Sequence, residues 1–141
     1  MSNKMYPCLW FDGQAQAAAE FYCSIFVNSK IIANNQFVVT FELNGQKYMG
    51  LNGGPEFKFN EAISIVVDCD TQEEIDHYWN SLTADGGKEG NCGWLKDKFG
   101  VSWQIVPTIL AQLMTKPDRV QNVMSAYLKM KKFDIQALKN A

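Results

Sequence analysis

The sequence predicts an α+β fold in which two modules, each of one strand, one helix and three further strands, share a sheet system and precede a helical tail. The first observation is a pair of strand-like runs within residues 93–107, split by the charged, glycine-containing segment 96–100. The second is a weaker copy of this hairpin at residues 44–51. The third is a change to helical periodicity after residue 107. These patterns indicate two similar modules, whereas a repeat array would need shorter and more numerous units.

The first module begins with an apolar and aromatic run at residues 5–11, which ends at Asp12-Gly13 and is typical of a buried strand closed by a turn. Residues 14–26 carry apolar side chains at helical spacing, and their alanines favour a helix. Runs rich in β-branched and aromatic residues then predict three strands, at 29–34, 36–43 and 46–52.

The second module follows a polar linker that ends near Asn60. Residues 62–68 predict its first strand, and Thr71 opens a helix over 71–82 in capping-box form. A glycine-rich break at 85–87 then precedes the hairpin strands.

The second hairpin strand places alternate side chains on opposite faces of the sheet. Ser102, Gln104 and Val106 share one face, while Trp103 and Ile105 share the other. We therefore predict that Trp103 lies in the core. The half-polar face predicts either a ligand-holding concavity or simple exposure to solvent.

The tail contains three predicted helical segments. Thr108 can cap a helix over 109–114, Pro117 suits the first turn of a second, and Asp134 can cap a third. The second segment carries an apolar stripe, which predicts core packing or a subunit interface.

Composition limits the class of protein. The chain has 141 residues, 47% of them hydrophobic, with a net charge of -2. These values fit one compact domain and argue against nucleic-acid binding, and no apolar run is long enough to span a bilayer. Its four cysteines are scattered without a Cys-x-x-Cys pair, and no apolar stretch typical of a secretory signal precedes the first strand. We expect a cytoplasmic protein with no membrane partner.

Four phrases in the chain resemble the vicinal-oxygen-chelate superfamily, which includes glyoxalases, bleomycin-resistance proteins and dioxygenases. They are Leu9-Trp10-Phe11-Asp12-Gly13, Ala19-Glu20-Phe21-Tyr22, Cys92-Gly93-Trp94-Leu95-Lys96-Asp97-Lys98-Phe99-Gly100 and Val101-Ser102-Trp103-Gln104-Ile105-Val106-Pro107. The likeness is to its PhnB-like branch, often labelled "3-demethylubiquinone-9 3-methyltransferase"-like. It implies a single domain with module one at about 1–55, module two at about 60–107 and the tail at 108–141. It also implies a curved mixed sheet around a cup that holds a ligand or metal, within a homodimer.

Many enzymes of this superfamily hold a divalent metal with His or Glu at four strand positions. Here those positions correspond to Pro7, Met49, Ala62 and Gln104, and none is His, Glu or Asp. We therefore expect no metal and no cofactor. The only histidine, His77, lies in a predicted helix and receives no catalytic role, and the glycine-rich loop usual for S-adenosylmethionine is absent.

The resemblance and the residues together predict a protein that binds a small, partly apolar molecule in the cup, with no catalytic residue. The alternatives are a metal-independent transferase or lyase and a structural or interaction protein. The candidate cup residues supply an apolar lining with a few polar groups, unless they fill a second core. They are Leu9, Phe11, Met49, Ser64, Ser102 and Gln104.

Overall fold

The computed structural model describes residues 4–141 and divides the chain into two compact units, the first ending at Phe59 and the second beginning at Asn60. Each unit contains one four-stranded mixed sheet and the helix between its first two strands. Residues 1–3, which the prediction assigned to the first module, lie outside the described residues.

Unit 1 has the predicted order of one strand, one helix and three strands. Its elements are β1 (Cys8–Phe11), α1 (Ala15–Ile25), β2 (Lys30–Asn34), β3 (Val38–Leu43) and β4 (Gln46–Asn52). The strand order is β1-β4-β3-β2, in which only the β1–β4 pair is parallel.

Helix α1 covers one face of this sheet with small and aromatic side chains. Ala15 and Tyr22 of the helix are fully buried, as is Phe41 of β3. At Gly50 of β4 an added Cβ would lie 3.1 Å from the Ala15 Cβ, so the glycine allows the helix to approach the sheet closely.

Unit 2 repeats this order and adds the tail. Its elements are β5 (Ser64–Cys69), α2 (Gln72–Thr83), β6 (Lys88–Glu89), β7 (Trp94–Lys96), β8 (Ser102–Pro107), α3 (Ile109–Met114), α4 (Val120–Tyr127) and α5 (Ile135–Asn140). The strand order is β5-β8-β7-β6, with a parallel β5–β8 pair and antiparallel neighbours elsewhere. The predicted hairpin is therefore present as β7 and β8.

A buried carboxylate organises the turn between β7 and β8. Asp97, only 3% exposed, accepts hydrogen bonds at Oδ1 from the backbone N–H groups of Phe99 (2.8 Å) and Val101 (3.1 Å). Its Oδ2 accepts a third from Trp103 Nε1 at 2.9 Å. This carboxylate joins the turn backbone to the core of unit 2.

Helix α2 packs on the face of the sheet that carries Trp103 and Leu95. Its Trp79 is buried and donates from Nε1 to Glu89 Oε2 at 2.7 Å, and Glu89 is the register partner of Leu95. At the start of α2, Thr71 Oγ1 accepts from the Glu74 N–H, as the predicted cap requires.

The tail is attached to unit 2 by backbone and side-chain hydrogen bonds. The N–H groups of Cys92 and Gly93 donate to the carbonyls of Met130 and Lys131, each at 2.8 Å. The Gln72 amide donates to the Phe133 carbonyl and accepts from the Ile135 N–H, each at 2.9 Å. The tail is therefore part of the folded core of this unit.

Of two helix caps predicted in the tail, the Asp134 cap is confirmed and the Thr108 cap is absent. Asp134 Oδ1 accepts from the Ala137 N–H at 3.0 Å, which confirms the cap of α5. Thr108 makes no side-chain cap for α3, because its hydroxyl instead donates to Asp70 Oδ1 at 3.0 Å.

Across residues 4–141, the helices are all too short or too polar to cross a membrane.

Cys69, at the end of β5, should be the least reactive of the thiols that the structure describes. Burial raises its pKa to about 12, with the charges of Glu74, Asp68 and Asp70 adding to the effect. We expect Cys69 to resist iodoacetamide at pH 8 in the folded protein and to react in urea, whereas exposed Cys8 reacts in both, as read by peptide mass spectrometry.

The same shift predicts a pH dependence of stability. Because the folded state holds the Cys69 proton more tightly than the unfolded state, the stability that this thiol contributes is complete below pH 9.0 and is lost as the pH rises towards about 12.

If iodoacetamide modified Cys69 in the folded protein as fast as it modifies Cys8, the prediction that Cys69 is the least reactive thiol would be wrong.

Candidate functional site

Three of the predicted site residues lie together on the face of the second sheet opposite α2, which we call the polar face. Ser64 and Ser102 are register partners in the parallel β5–β8 pair, and Gln104 Nε2 donates to Ser64 Oγ at 2.9 Å. Trp103 is 1% exposed and points to the α2 side, whereas Gln104 is half-buried. The predicted alternation along this strand is therefore confirmed.

A pocket of about 490 Å³ lies at the β6–β7 end of the sheet, and its lining includes Lys88, Trp94, Lys96 and Ser102 of the polar face. Its size falls within the range of pockets that hold small organic ligands, roughly 300–1,000 Å³. The lining comes from β6, β7 and β8, from the loop between β6 and β7, and from the segment before β5: Glu61, Lys88, Glu89, Gly90, Asn91, Trp94, Leu95, Lys96 and Ser102.

The strand register sets three polar side chains of the pocket in one row. Lys88 of β6 is opposite Lys96 of β7, and Lys96 is opposite Ser102 of β8. Since directly paired residues point to the same face, two ammonium groups and one hydroxyl follow one another across the sheet.

The hydroxyl at the end of this row has no hydrogen-bond partner among the protein groups of residues 4–141. Ser102 is 1% exposed, and its Oγ is the one fully buried side-chain nitrogen or oxygen in residues 4–141 without a hydrogen bond. A buried polar group in this state costs free energy, on the order of 1–3 kcal/mol. Most buried polar groups in folded proteins are hydrogen-bonded, so this hydroxyl is a candidate contact for a bound molecule.

Trp94 supplies the apolar wall of the pocket. It is the register partner of Gln104, so its indole lies on the polar face, where it is half-buried. The pocket surface is mainly apolar. A flat apolar group would therefore find both contact area and shelter from water beside this ring.

Glu61 and Lys96 form an ion pair at the pocket, with 2.9 Å between Glu61 Oε2 and Lys96 Nζ. The hydrogen bond from Lys96 lowers the pKa of the Glu61 carboxyl below its usual range. Both side chains are more than one third exposed, so the pair is screened by solvent and can exchange partners at little cost.

The remaining predicted residues lie in unit 1 and do not share one face. Met49 is the register partner of Cys8, whereas Leu9 is paired with Gly50 and lies on the side covered by α1. Leu9 and Phe11 are both buried there. The prediction that Leu9 and Phe11 share a face with Met49 is therefore wrong. The pairing of β1 with β4 is shifted by one residue from the predicted register, so Cys8 and Trp10 lie on the side of Met49.

The side chains at the four metal positions of the superfamily do not fit a divalent ion. The amide of Gln104 already donates a hydrogen bond to Ser64. The register partner of Met49 is Cys8, so Met49 and Pro7 are not paired across the strands. Within residues 4–141 there is no cluster of three or more His, Cys, Asp or Glu side chains placed to hold a metal. His77 lies on α2 with its ring 5.0 Å from that of Tyr78.

Sequence reasoning found Ser102 but missed Lys88, Trp94, Lys96 and Glu61. A usable signal was present, because Trp94 and Lys96 alternate with Leu95 just as Gln104 and Ser102 alternate with Trp103. Antiparallel pairing of the two hairpin strands places Lys96 and Trp94 on the same face as Ser102 and Gln104. Lys88 and Glu61 lie outside the hairpin and could not be found in this way.

A family model described as 3-demethylubiquinone-9 3-methyltransferase matches residues 3–106. A PhnB protein from Bacillus cereus is 33% identical in sequence, with a TM-score of 0.69 over 75% of this chain and 100% of that one. No curated protein matches.

More distant solved structures have the same fold. A glyoxalase/bleomycin resistance protein from Albidiferax ferrireducens is 12% identical, with a TM-score of 0.57 over 75% of this chain and 98% of that one. The fosfomycin resistance protein FosX from Listeria monocytogenes, solved with Mn(II) and sulfate, is 16% identical, with a TM-score of 0.60 over 82% and 98% of the two chains. At these identities the likeness extends to the fold alone.

Proposed function

The chain belongs to the 3-demethylubiquinone-9 3-methyltransferase family, with its PhnB-like vicinal-oxygen-chelate fold, and on this basis we propose that its second unit binds a small, partly apolar molecule on the polar face. The pocket beside Trp94 is the binding site, and Ser102 is its central polar contact.

One observation carries this proposal: the buried Ser102 hydroxyl has no hydrogen-bond partner in residues 4–141 and lies in the wall of a pocket large enough for an organic ligand. A ligand with a hydrogen-bonding group would form a hydrogen bond with this hydroxyl. Because the free protein already bears the cost of removing the hydroxyl from water, that hydrogen bond would favour binding.

The pocket residues support binding and give no support to a chemical step. Covalent or acid-base catalysis needs a nucleophile or a base with a neighbour that activates it. Ser102 makes no hydrogen bond to a base in the described part of the chain, the neighbouring Lys96 is ion-paired with Glu61, and the Glu89 carboxylate accepts from Trp79. We therefore propose a binding protein, and we propose no methyl transfer.

Replacing Ser102 with alanine should separate stability from binding. Because the hydroxyl has no partner, we expect the free energy of unfolding to stay the same or rise by up to about 1 kcal/mol. Fragments that bind the parent protein in an NMR screen, seen as shifts of amide signals near Trp94 and Ser102, should bind the variant at least several-fold more weakly.

Ser64→Ala is the matched control, since Ser64 lies on the same face but accepts a hydrogen bond from Gln104. Its loss should cost about 1 kcal/mol of stability. If Ser102→Ala lost as much stability as Ser64→Ala and left fragment binding unchanged, the hydroxyl would have a structural partner and the proposal would be wrong.

A further inference from the structure

Two lysines of the pocket lie directly opposite each other on neighbouring strands, where their like charges repel. Lys88 and Lys96 are direct register partners on β6 and β7, and like charges in directly opposed positions destabilise a strand pair. An anion between them would relieve this repulsion.

Of the two lysines in the row, Lys96 has an ion-pair partner in the described residues and Lys88 has none. Glu61 pairs with Lys96 at 2.9 Å. Glu89 also borders the pocket, but it is opposite Leu95 on the α2 side, where it accepts from Trp79. No ion pair to Lys88 is found in residues 4–141. The pocket lining thus holds two lysines and two glutamates, and Lys88 is the lysine of the row without an ion pair.

Ser102 completes a set of donors suited to a small anionic group. Its hydroxyl follows Lys96 in the same row, is buried and can donate to an oxygen that a lysine also contacts. Hydrogen bonds to a charged oxygen are stronger than those between neutral groups, so an anion would use this buried donor best.

Resting on the proposed function, we infer that the ligand is a monocarboxylate with a flat apolar body. Its carboxylate lies along the row of Lys88, Lys96 and Ser102, and its apolar body lies against the Trp94 indole. The single negative charge of a carboxylate would pair with Lys88, the lysine of the row that has no ion pair in residues 4–141, whereas a dianion such as a phosphate ester would leave one charge uncompensated.

The test uses 1-naphthoate and 1-naphthamide, which have nearly the same shape and differ in charge, in calorimetric titrations of the full chain at low salt. We expect naphthoate to bind at least ~10-fold more tightly than naphthamide, with the preference falling as salt is added. Lys88→Gln and Lys96→Gln should each reduce this preference several-fold, whereas Lys116→Gln, at an exposed position outside the pocket, should leave it unchanged.

Glu61→Gln gives a change of opposite sign. It releases Lys96 from its partner, so naphthoate should bind about three-fold more tightly while naphthamide is unaffected. Ser102→Ala should weaken both probes, because the hydroxyl can donate to either carbonyl oxygen.

The outcomes distinguish this inference from the proposed function. Equal affinity for acid and amide, with both lost in Ser102→Ala, would overturn the carboxylate assignment and leave the binding pocket in place. Tighter binding of 1-naphthyl phosphate than of naphthoate would also overturn it. Failure of all three probes to bind the parent protein at millimolar concentration would count against the proposed function itself.

Discussion

Replacing Asp97 with alanine should lower the free energy of unfolding by about 4 kcal/mol, because three hydrogen bonds to a buried carboxylate are lost together and two buried donors are left unsatisfied. This is a large part of the roughly 5–15 kcal/mol that stabilises a typical domain. The measurement is urea denaturation followed by tryptophan fluorescence.

Trp103→Phe provides the control, since it removes the indole N–H that reaches Asp97 Oδ2 and keeps an aromatic ring in the core. A double-mutant cycle with Asp97→Ala should give a coupling energy of about 1.5–3 kcal/mol. A loss below about 1 kcal/mol for Asp97→Ala would show that the turn does not depend on this carboxylate.

Gly93→Ala should destabilise unit 2 by about 3–5 kcal/mol and release the tail, because it combines a strained backbone with a steric overlap. Gly93 has φ of +82°, and an added Cβ would lie 2.8 Å from the Ile105 carbonyl oxygen and closer still to the Phe133 ring. The tail must then move away from β7. Limited proteolysis should cut the chain after residue 114 in the variant before it cuts the parent protein.

Gly100→Ala is the control, because Gly100 also has a positive φ but an added Cβ there would meet no neighbouring atom. Gly100 has φ of +92°, but a Cβ there would have nothing within 4 Å. We expect it to cost about 1 kcal/mol and to leave the tail protected. If both variants lost the same stability, the contact with Phe133 and Ile105 would contribute nothing.

Local patterns in the sequence predicted the parts of the fold that depend on neighbouring residues. The hairpin β7–β8 was found because alternation from Ser102 to Val106 and the break at 96–100 are both visible over a few residues. The turn at Gly45 and the turn at Gly100 both have positive φ, which agrees with the internal similarity of the two modules.

Features that depend on long-range pairing were beyond the sequence. The face of Leu9 is set by the pairing of β1 with β4, where the Met49 N–H donates to the Pro7 carbonyl, and this register has no local signal. Asp97 was interpreted only as part of a charged, glycine-containing connection, with no prediction that it is buried. Its burial follows from Trp103, whose indole N–H needs an acceptor within the core.

Only part of the candidate site could be predicted from the sequence, because the rest depends on pairing between strands. Ser102 and Gln104 follow from alternation within one strand, but their pocket neighbours belong to other strands. Lys88 reaches the pocket only because β6 pairs with β7, and a two-residue strand has too few side chains to show a pattern.

The attachment of the tail also constrains when unit 2 can fold during synthesis. The hairpin is made well before Phe133 and Leu138, yet both of these side chains are buried in the finished unit, and the carbonyls that receive the Cys92 and Gly93 N–H groups also come late. A nascent chain that has just exposed β8 therefore presents an unfinished apolar surface. It can complete this unit only after Phe133 and Leu138 have left the ribosome, so termination before Phe133 should produce an aggregation-prone product and not a shorter stable protein.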